Sequence, residues 1–179
     1  MPGILAGITS LVQHVQHLND NPKDYRPSQC FNCHKTGLWK HGCYGRMADK
    51  NKNNKENMNP VLVPRFICPH CGKTCSTLPE CIPPRRWYLW TVQQVVLLAL
   101  LVGESLPPRN LSQHPRRATI LRWWNWLQEK FVFHAGILRS NDPELGRFSE
   151  FREFWQACLT KMSLSKAMYL LHKGGLVIP

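Results

Sequence analysis

A chain of 179 residues with 43% hydrophobic residues can hold one ordinary domain or two or three small ones, each with a core of its own. Its formal net charge of +12 points to a polyanionic partner, either nucleic acid or an anionic membrane surface. The longest uncharged run, the 17 residues from Trp87 to Gly103 with Gln93 and Gln94 in its middle, is short of the roughly 20 apolar residues of a membrane span. No membrane span is therefore expected, and of the two polyanions nucleic acid, not membrane, is the expected partner.

From the start of the chain, Leu5, Ile8, Leu11, Val12, Val15 and Leu18 recur at helical spacing, which predicts an amphipathic helix over 4–18 ended by Asn-Asp-Asn-Pro at 19–22. The stretch lacks the basic n-region of a secretory leader, so a cytoplasmic, reducing compartment is expected. His14 and His17 lie three residues apart on this helix; such a pair can bind metal but more often forms a solvated face.

Two Cys-x2-Cys pairs follow, Cys30-Phe-Asn-Cys33 and Cys68-Pro-His-Cys71, with 34 residues between them. Two such hooks are the spacing that sets four thiolates around one zinc ion. The gap exceeds the usual ~15–20 residues, and its middle, Asp49 to Asn59, is a hydrophilic loop tip. A disulfide framework belongs to short secreted chains, and a redox Cys-x2-Cys stands alone after a strand in a thioredoxin-like pattern, which is absent. The expectation is one structural zinc on Cys30, Cys33, Cys68 and Cys71. Cys43, Cys75 and Cys81 could replace a ligand or build a second site, or serve as small buried hydrophobes.

The runs Gly37–Tyr44 and Val61–Ile67 are aromatic and β-branched on either side of the polar tip, so they are expected to pair as a hairpin. Pro64 marks the second as an edge or bulged strand, and 74–78 supplies a third short strand. Pro83-Pro84 ends this unit. Trp87 to Val102 reads as a core helix too apolar to be single-faced, and Gly103 to Pro108 breaks it. Arg109 to His114 is a short polar turn or helix, and Pro115 opens the next helix.

In that helix Ile120, Trp124, Leu127 and Phe131 form a core stripe, leaving Thr119, Arg122 and Trp126 opposite, with Arg116, Arg117 and Trp123 near its start. Helix, turn, short helix and a basic helix is the helix-turn-helix order, in which the second helix reads base edges and arginines hold phosphates. Two further helices are expected in 140–179, one on Phe148, Phe151, Trp155, Cys158 and Leu159, the other from an N-cap at Ser163 to Gly174. The charge is unevenly spread. Residues 23–86 carry 12 Lys/Arg against 4 Asp/Glu, and 109–139 carry 6 against 1, while 140–179 carry 5 against 4. The near-neutral tail thus reads as packing or homodimer surface.

The order RPSQCFNC, GLWKHGCYGR, RFICPHCGKTCSTLPECIPPRRWY and TILRWW resembles short bacterial transposase-like, mobile-element proteins with an N-terminal zinc ribbon and a helix-turn-helix. The resemblance covers residues 26 to about 130. It implies a cytoplasmic DNA-binding protein, with Cys30, Cys33, Cys68 and Cys71 as ribbon ligands and Thr119 and Arg122 in the recognition helix. A complete Asp-Asp-Glu transposase would need three carboxylates on an alternating strand–helix core. The only aspartates are Asp20, Asp24, Asp49 and Asp142, and no such alternation is present, so no catalytic centre is expected.

The expected architecture is α+β: an N-terminal helix (1–24), a zinc ribbon (25–84), a helix-turn-helix region (85–135) and a helical tail (136–179). The expected function is zinc-dependent binding of double-stranded DNA, as the recognition part of a transposition system or a regulator, with a separate transposase or regulatory chain as a candidate partner. Lys50, Lys52 and Lys55 on the loop tip would add phosphate contacts to those of Arg116, Arg117, Thr119, Arg122, Trp123 and Trp126. Two alternatives stand beside it. One is a zinc-ribbon adaptor that binds protein through its tail. The other is a single-strand or RNA binder that stacks bases on Trp39, Tyr44 and Phe66.

Overall fold

A computed structural model describes residues 3–48, 58–84, 88–106 and 115–178. The architecture is mixed α+β, and the chain divides into two units, Met1–Leu89 and Trp90–Pro179. The first contains both the N-terminal helix and the cysteine pairs, and the second contains all the later helices.

The first unit holds two small sheets. Strands β2 (Trp39–Arg46), β3 (Val61–Ile67) and β4 (Thr74–Cys75) form an antiparallel sheet in the order β2-β3-β4. Strands β1 (Gly3–Leu5) and β5 (Thr77–Pro79) pair in parallel, Gly3 opposite Thr77. The expected hairpin therefore forms. The expected third strand over 74–78 is divided between the two sheets.

Pro64 sits in the middle strand rather than at an edge, and the irregularity it demands falls on its neighbour. Lys40 pairs with Phe66 and Cys43 with Pro64, so β2 carries one extra residue across this step. Gly42, at φ 79°, supplies the left-handed backbone such a bulge needs.

The helix expected over 4–18 is corrected. Helix α1 spans Leu11–Asp20 and residues 3–5 are strand. Gly7, at φ 80°, lies between them, and Ser10 starts the helix with a capping box in which its hydroxyl accepts from the Gln13 N–H. The solvated histidine face is corrected too. His14 is fully buried, and its Nε2 donates to the Leu62 carbonyl at 2.9 Å, which leaves Nδ1 to accept from the Tyr25 hydroxyl at 2.7 Å. Burial holds its pKa below the usual value. His17 is half-exposed and pairs with Asp24 at 2.9 Å. Ile8, Tyr25, Leu38, Val61, Val63, Phe66, Leu78 and Ile82 make the core, joined by Cys30, Cys68 and Cys75.

The second unit is helical: α2 (Trp90–Leu101), α3 (Arg117–Glu129), α4 (Phe131–Asn141), α5 (Phe151–Lys161) and α6 (Leu164–Lys173). Helix α2 contains no charged residue and packs against α3, α5 and α6. Its last carbonyls, which no helical N–H can reach, accept from α5: Arg152 Nη1 donates to Leu100 at 2.6 Å and to Leu101 at 2.9 Å, and Gln156 to Leu101 at 3.0 Å. Phe154 and Trp155 are fully buried, each contributing about 2–3 kcal/mol of hydrophobic stabilisation. The expected Ser163 cap forms, its hydroxyl accepting from the Lys166 N–H.

The stripe expected to run on to Phe131 is interrupted at Lys130 (φ −104°, ψ 12°), where α3 ends and α4 begins. The tryptophan fully inside is Trp123, 3% exposed, while Trp124 is half-buried, edge-on to Phe151 at 5.2 Å. The short element expected over Arg109–His114 lies outside the described residues, as 107–114 are not among them. Among the described residues no helix is long and apolar enough to cross a membrane.

Candidate metal centre and nucleic-acid interface

Two turns with the same backbone hydrogen-bond pattern build the cysteine centre. In the first, the Cys30 N–H donates to the Lys35 carbonyl at 2.8 Å and the His34 N–H to the Cys30 carbonyl at 2.9 Å. In the second, the Cys68 N–H donates to Lys73 at 2.9 Å and the Gly72 N–H to Cys68 at 2.9 Å. Equivalent residues therefore close each hook, and both are left-handed: His34 at φ 59° and Gly72 at φ 66°. A Cβ at Gly72 would meet nothing within 4 Å, so its requirement is conformational and not steric crowding. Gly72→Ala is expected to cost about 1 kcal/mol in urea unfolding of the zinc-loaded protein, and His34→Gly to shift stability the other way.

The hooks meet face to face. Sγ of Cys30 lies 3.6 Å from that of Cys71, and Sγ of Cys33 lies 3.5 Å from that of Cys68. All four sulfurs lie within 4.8 Å of one another. A tetrahedron of thiolates with metal–sulfur bonds of 2.3 Å has edges of about 3.8 Å, so the four fit a thiophilic ion such as zinc with sub-ångström adjustment. The Cys33 and Asn32 N–H groups point at Cys30 and pull its thiol down to about 6. The Lys35 N–H acts the same way on Cys33, but burial and the three neighbouring sulfurs outweigh it and push that thiol up to about 12. Four thiols this close ionise together only when a cation compensates their charge.

Sequence spacing did not single out a fifth sulfur. Cys75 Sγ lies 3.8 Å from Cys30 Sγ, buried, with its pKa raised by burial. Its place on β4, directly opposite Phe66, brings it there, and only the strand pairing reveals that. Cys43 is exposed on β2, and Cys81 and Cys158 are buried, each pushed up to about 12 by burial. Among the described residues Cys43, Cys75 and Cys81 form no second cluster.

The residues expected to contact DNA fall into three groups. Arg116, the N-cap of α3, and Arg122 are exposed, Arg117 and Thr119 are half-exposed, and Arg122 Nη2 donates to Thr119 Oγ1 at 3.4 Å. These four share the N-terminal half of α3. Trp123 points into the core and Trp126 lies half-buried on the His134 ring, centroids 4.2 Å apart. The core claims Trp123, because residues 120, 123 and 127 form the inward stripe, and Trp126 packs against His134 of α4. Lys50, Lys52 and Lys55 lie outside the described residues. Of the aromatics considered as stacking platforms, Phe66 is buried, Tyr44 is half-buried beneath the Arg65 guanidinium at 4.8 Å, and Trp39 is 63% exposed.

Fold and site together define an α+β protein with a four-cysteine centre that can hold a metal ion such as zinc. The chain belongs to the family described as a domain of unknown function, DUF6431, whose profile matches residues 28–123, from just before the first hook into α3. No curated protein and no solved structure matches the chain.

Proposed function

We propose that the chain is a zinc-dependent binder of double-stranded DNA, serving as the recognition part of a bacterial transposition system or a related regulator. The observation that carries this reading is the charge around the cysteine centre. Residues 25–48 and 61–79, which hold both hooks and the three-stranded sheet, carry six Lys/Arg and no Asp or Glu. A zinc tetrathiolate centre would fold and stiffen this ribbon-like unit, and its cations would hold phosphates. Arg116, Thr119 and Arg122 on α3 would then read base edges, as in a helix-turn-helix.

Phosphate-dominated binding weakens steeply with salt, by about 10³–10⁵ between 50 and 200 mM for a protein with 6–10 phosphate contacts. Arg122→Ala is expected to cost about 1–3 kcal/mol and relax selectivity, whereas the triple change Lys50→Ala, Lys52→Ala and Lys55→Ala would lower the salt slope by about 3. Both are checked by titrating labelled duplex over a salt series. A salt-independent affinity would count against the reading. A protein-interaction adaptor is the second reading, favoured by Val132 and Phe133 on α4, which are 79% and 64% exposed. Wild-type affinity for duplex in the Arg122→Ala protein, with a retained protein partner lost on Phe133→Ala, would support it instead.

A further inference from the structure

The bulge in β2 decides which side chains share a face. Trp39 and Tyr44 are an odd number of residues apart, so a regular strand would send them to opposite faces. The extra residue at the bulge restores them to one. Trp39 pairs with Ile67 and Tyr44 with Val63, and residues 63, 65 and 67 of β3 alternate onto a single face.

Arg65 lies between the two aromatics on that face, with its guanidinium 4.8 Å over the Tyr44 ring. The row continues across β4, because Ile67 pairs with Thr74. At the Val63 end the face is buried in the core, while at the other end Trp39 is 63% exposed. The four-residue step from Val63 to Ile67 sets the backbone positions opposite Tyr44 and Trp39 about 13 Å apart.

We infer that this sheet face is a binding site for unpaired nucleobases. One base would stack on Trp39 and another, further along the strand, on the Arg65–Tyr44 pair, on a surface that has no carboxylate between residues 61 and 79 or 25 and 48 to repel the phosphates. An exposed tryptophan on a strand contributes nothing to its own core, whereas any nucleobase offers it a π-face. The inference extends the nucleic-acid reading above to a different surface and a different form of the ligand. It makes a duplex with a single-stranded end the preferred substrate over a blunt one.

The test measures fluorescence anisotropy with zinc-loaded full-length protein on a blunt duplex, the same duplex with an oligothymidine overhang, and free oligothymidine and oligouridine. Phosphatidylserine vesicles are titrated in parallel. The overhang is expected to tighten binding about tenfold or more. Trp39→Ala should abolish that increment and leave blunt-duplex affinity unchanged, with Trp39→Phe retaining part of it. Trp39 is exposed, so its replacement leaves the core intact, which circular dichroism verifies. Comparing oligothymidine with oligouridine shows whether the strand is DNA or RNA.

Trp39-dependent binding of single strands without blunt-duplex binding would uphold this inference and overturn the duplex reading. Blunt-duplex binding with no gain from the overhang, or a gain that Trp39→Ala leaves intact, would overturn this inference alone. So would vesicle binding that depends on Trp39 when overhang binding does not.

Discussion

Removing zinc from the loaded protein, by chelation or by Cys68→Ser, is expected to unfold the Met1–Leu89 unit. Its strands run from two to eight residues, and its core is shared with the cysteines themselves, Cys30 and Cys68 being fully buried. Structural zinc contributes about 10 kcal/mol or more in small metal-stapled units, against a net stability of about 5–15 kcal/mol for a whole domain. Deleting one ligand also strands three thiols that repel when ionised. Amide hydrogen exchange is the direct measurement. Residues 38–46 and 61–79 should lose protection, while α2, α5 and α6, whose core contains no ligand, should keep theirs. Protection that survives in β2 and β3 would show that the sheet folds without an ion.

The second large effect is expected at His134. It is fully buried between the Trp126 and Trp155 rings, at centroid distances of 4.2 and 5.6 Å. Burial pulls its pKa down to about 4, Lys130 adds to the effect, and the Leu127 backbone opposes it. The folded state thus keeps His134 neutral, while the unfolded chain binds a proton below the ordinary value of 6.5. Stability is fully present above pH 6.5 and is lost as pH falls from there to about 4, by about 3 kcal/mol. Urea unfolding at pH 7 and pH 4.5 should show the loss in the wild-type protein, and His134→Phe should shrink it by most of that amount. His14 and His172 have pKa values lowered in the same direction, so the difference between the two proteins, rather than the slope itself, reports on His134. An unchanged slope in His134→Phe would remove the assignment.

Much of this could be read from residue spacing because the relevant interactions are local. Periodicity located α2, α3, α5 and α6, cap chemistry marked Ser163, and the two Cys-x2-Cys pairs identified the four sulfurs that converge. The misreadings arise where a distant partner decides. Leu5 fits a helical stripe, yet it pairs with Pro79, more than 70 positions away on β5. His14 fits a solvated face until the Leu62 carbonyl and the Tyr25 hydroxyl arrive from outside its helix. Trp123 and Trp124 are adjacent, and a rotation of about 100° per residue decides which is buried. The bulge that gathers Trp39, Arg65 and Tyr44 was signalled only by Pro64 and Gly42. Neither shows on which strand the extra residue falls.

The most direct measurement of the central claim is duplex DNA binding at low and moderate salt, by zinc-loaded wild-type protein beside its Cys68→Ser variant. The proposal predicts tight binding that weakens steeply with salt and disappears in the variant. A folded, zinc-loaded protein that binds no duplex at either salt concentration would contradict it.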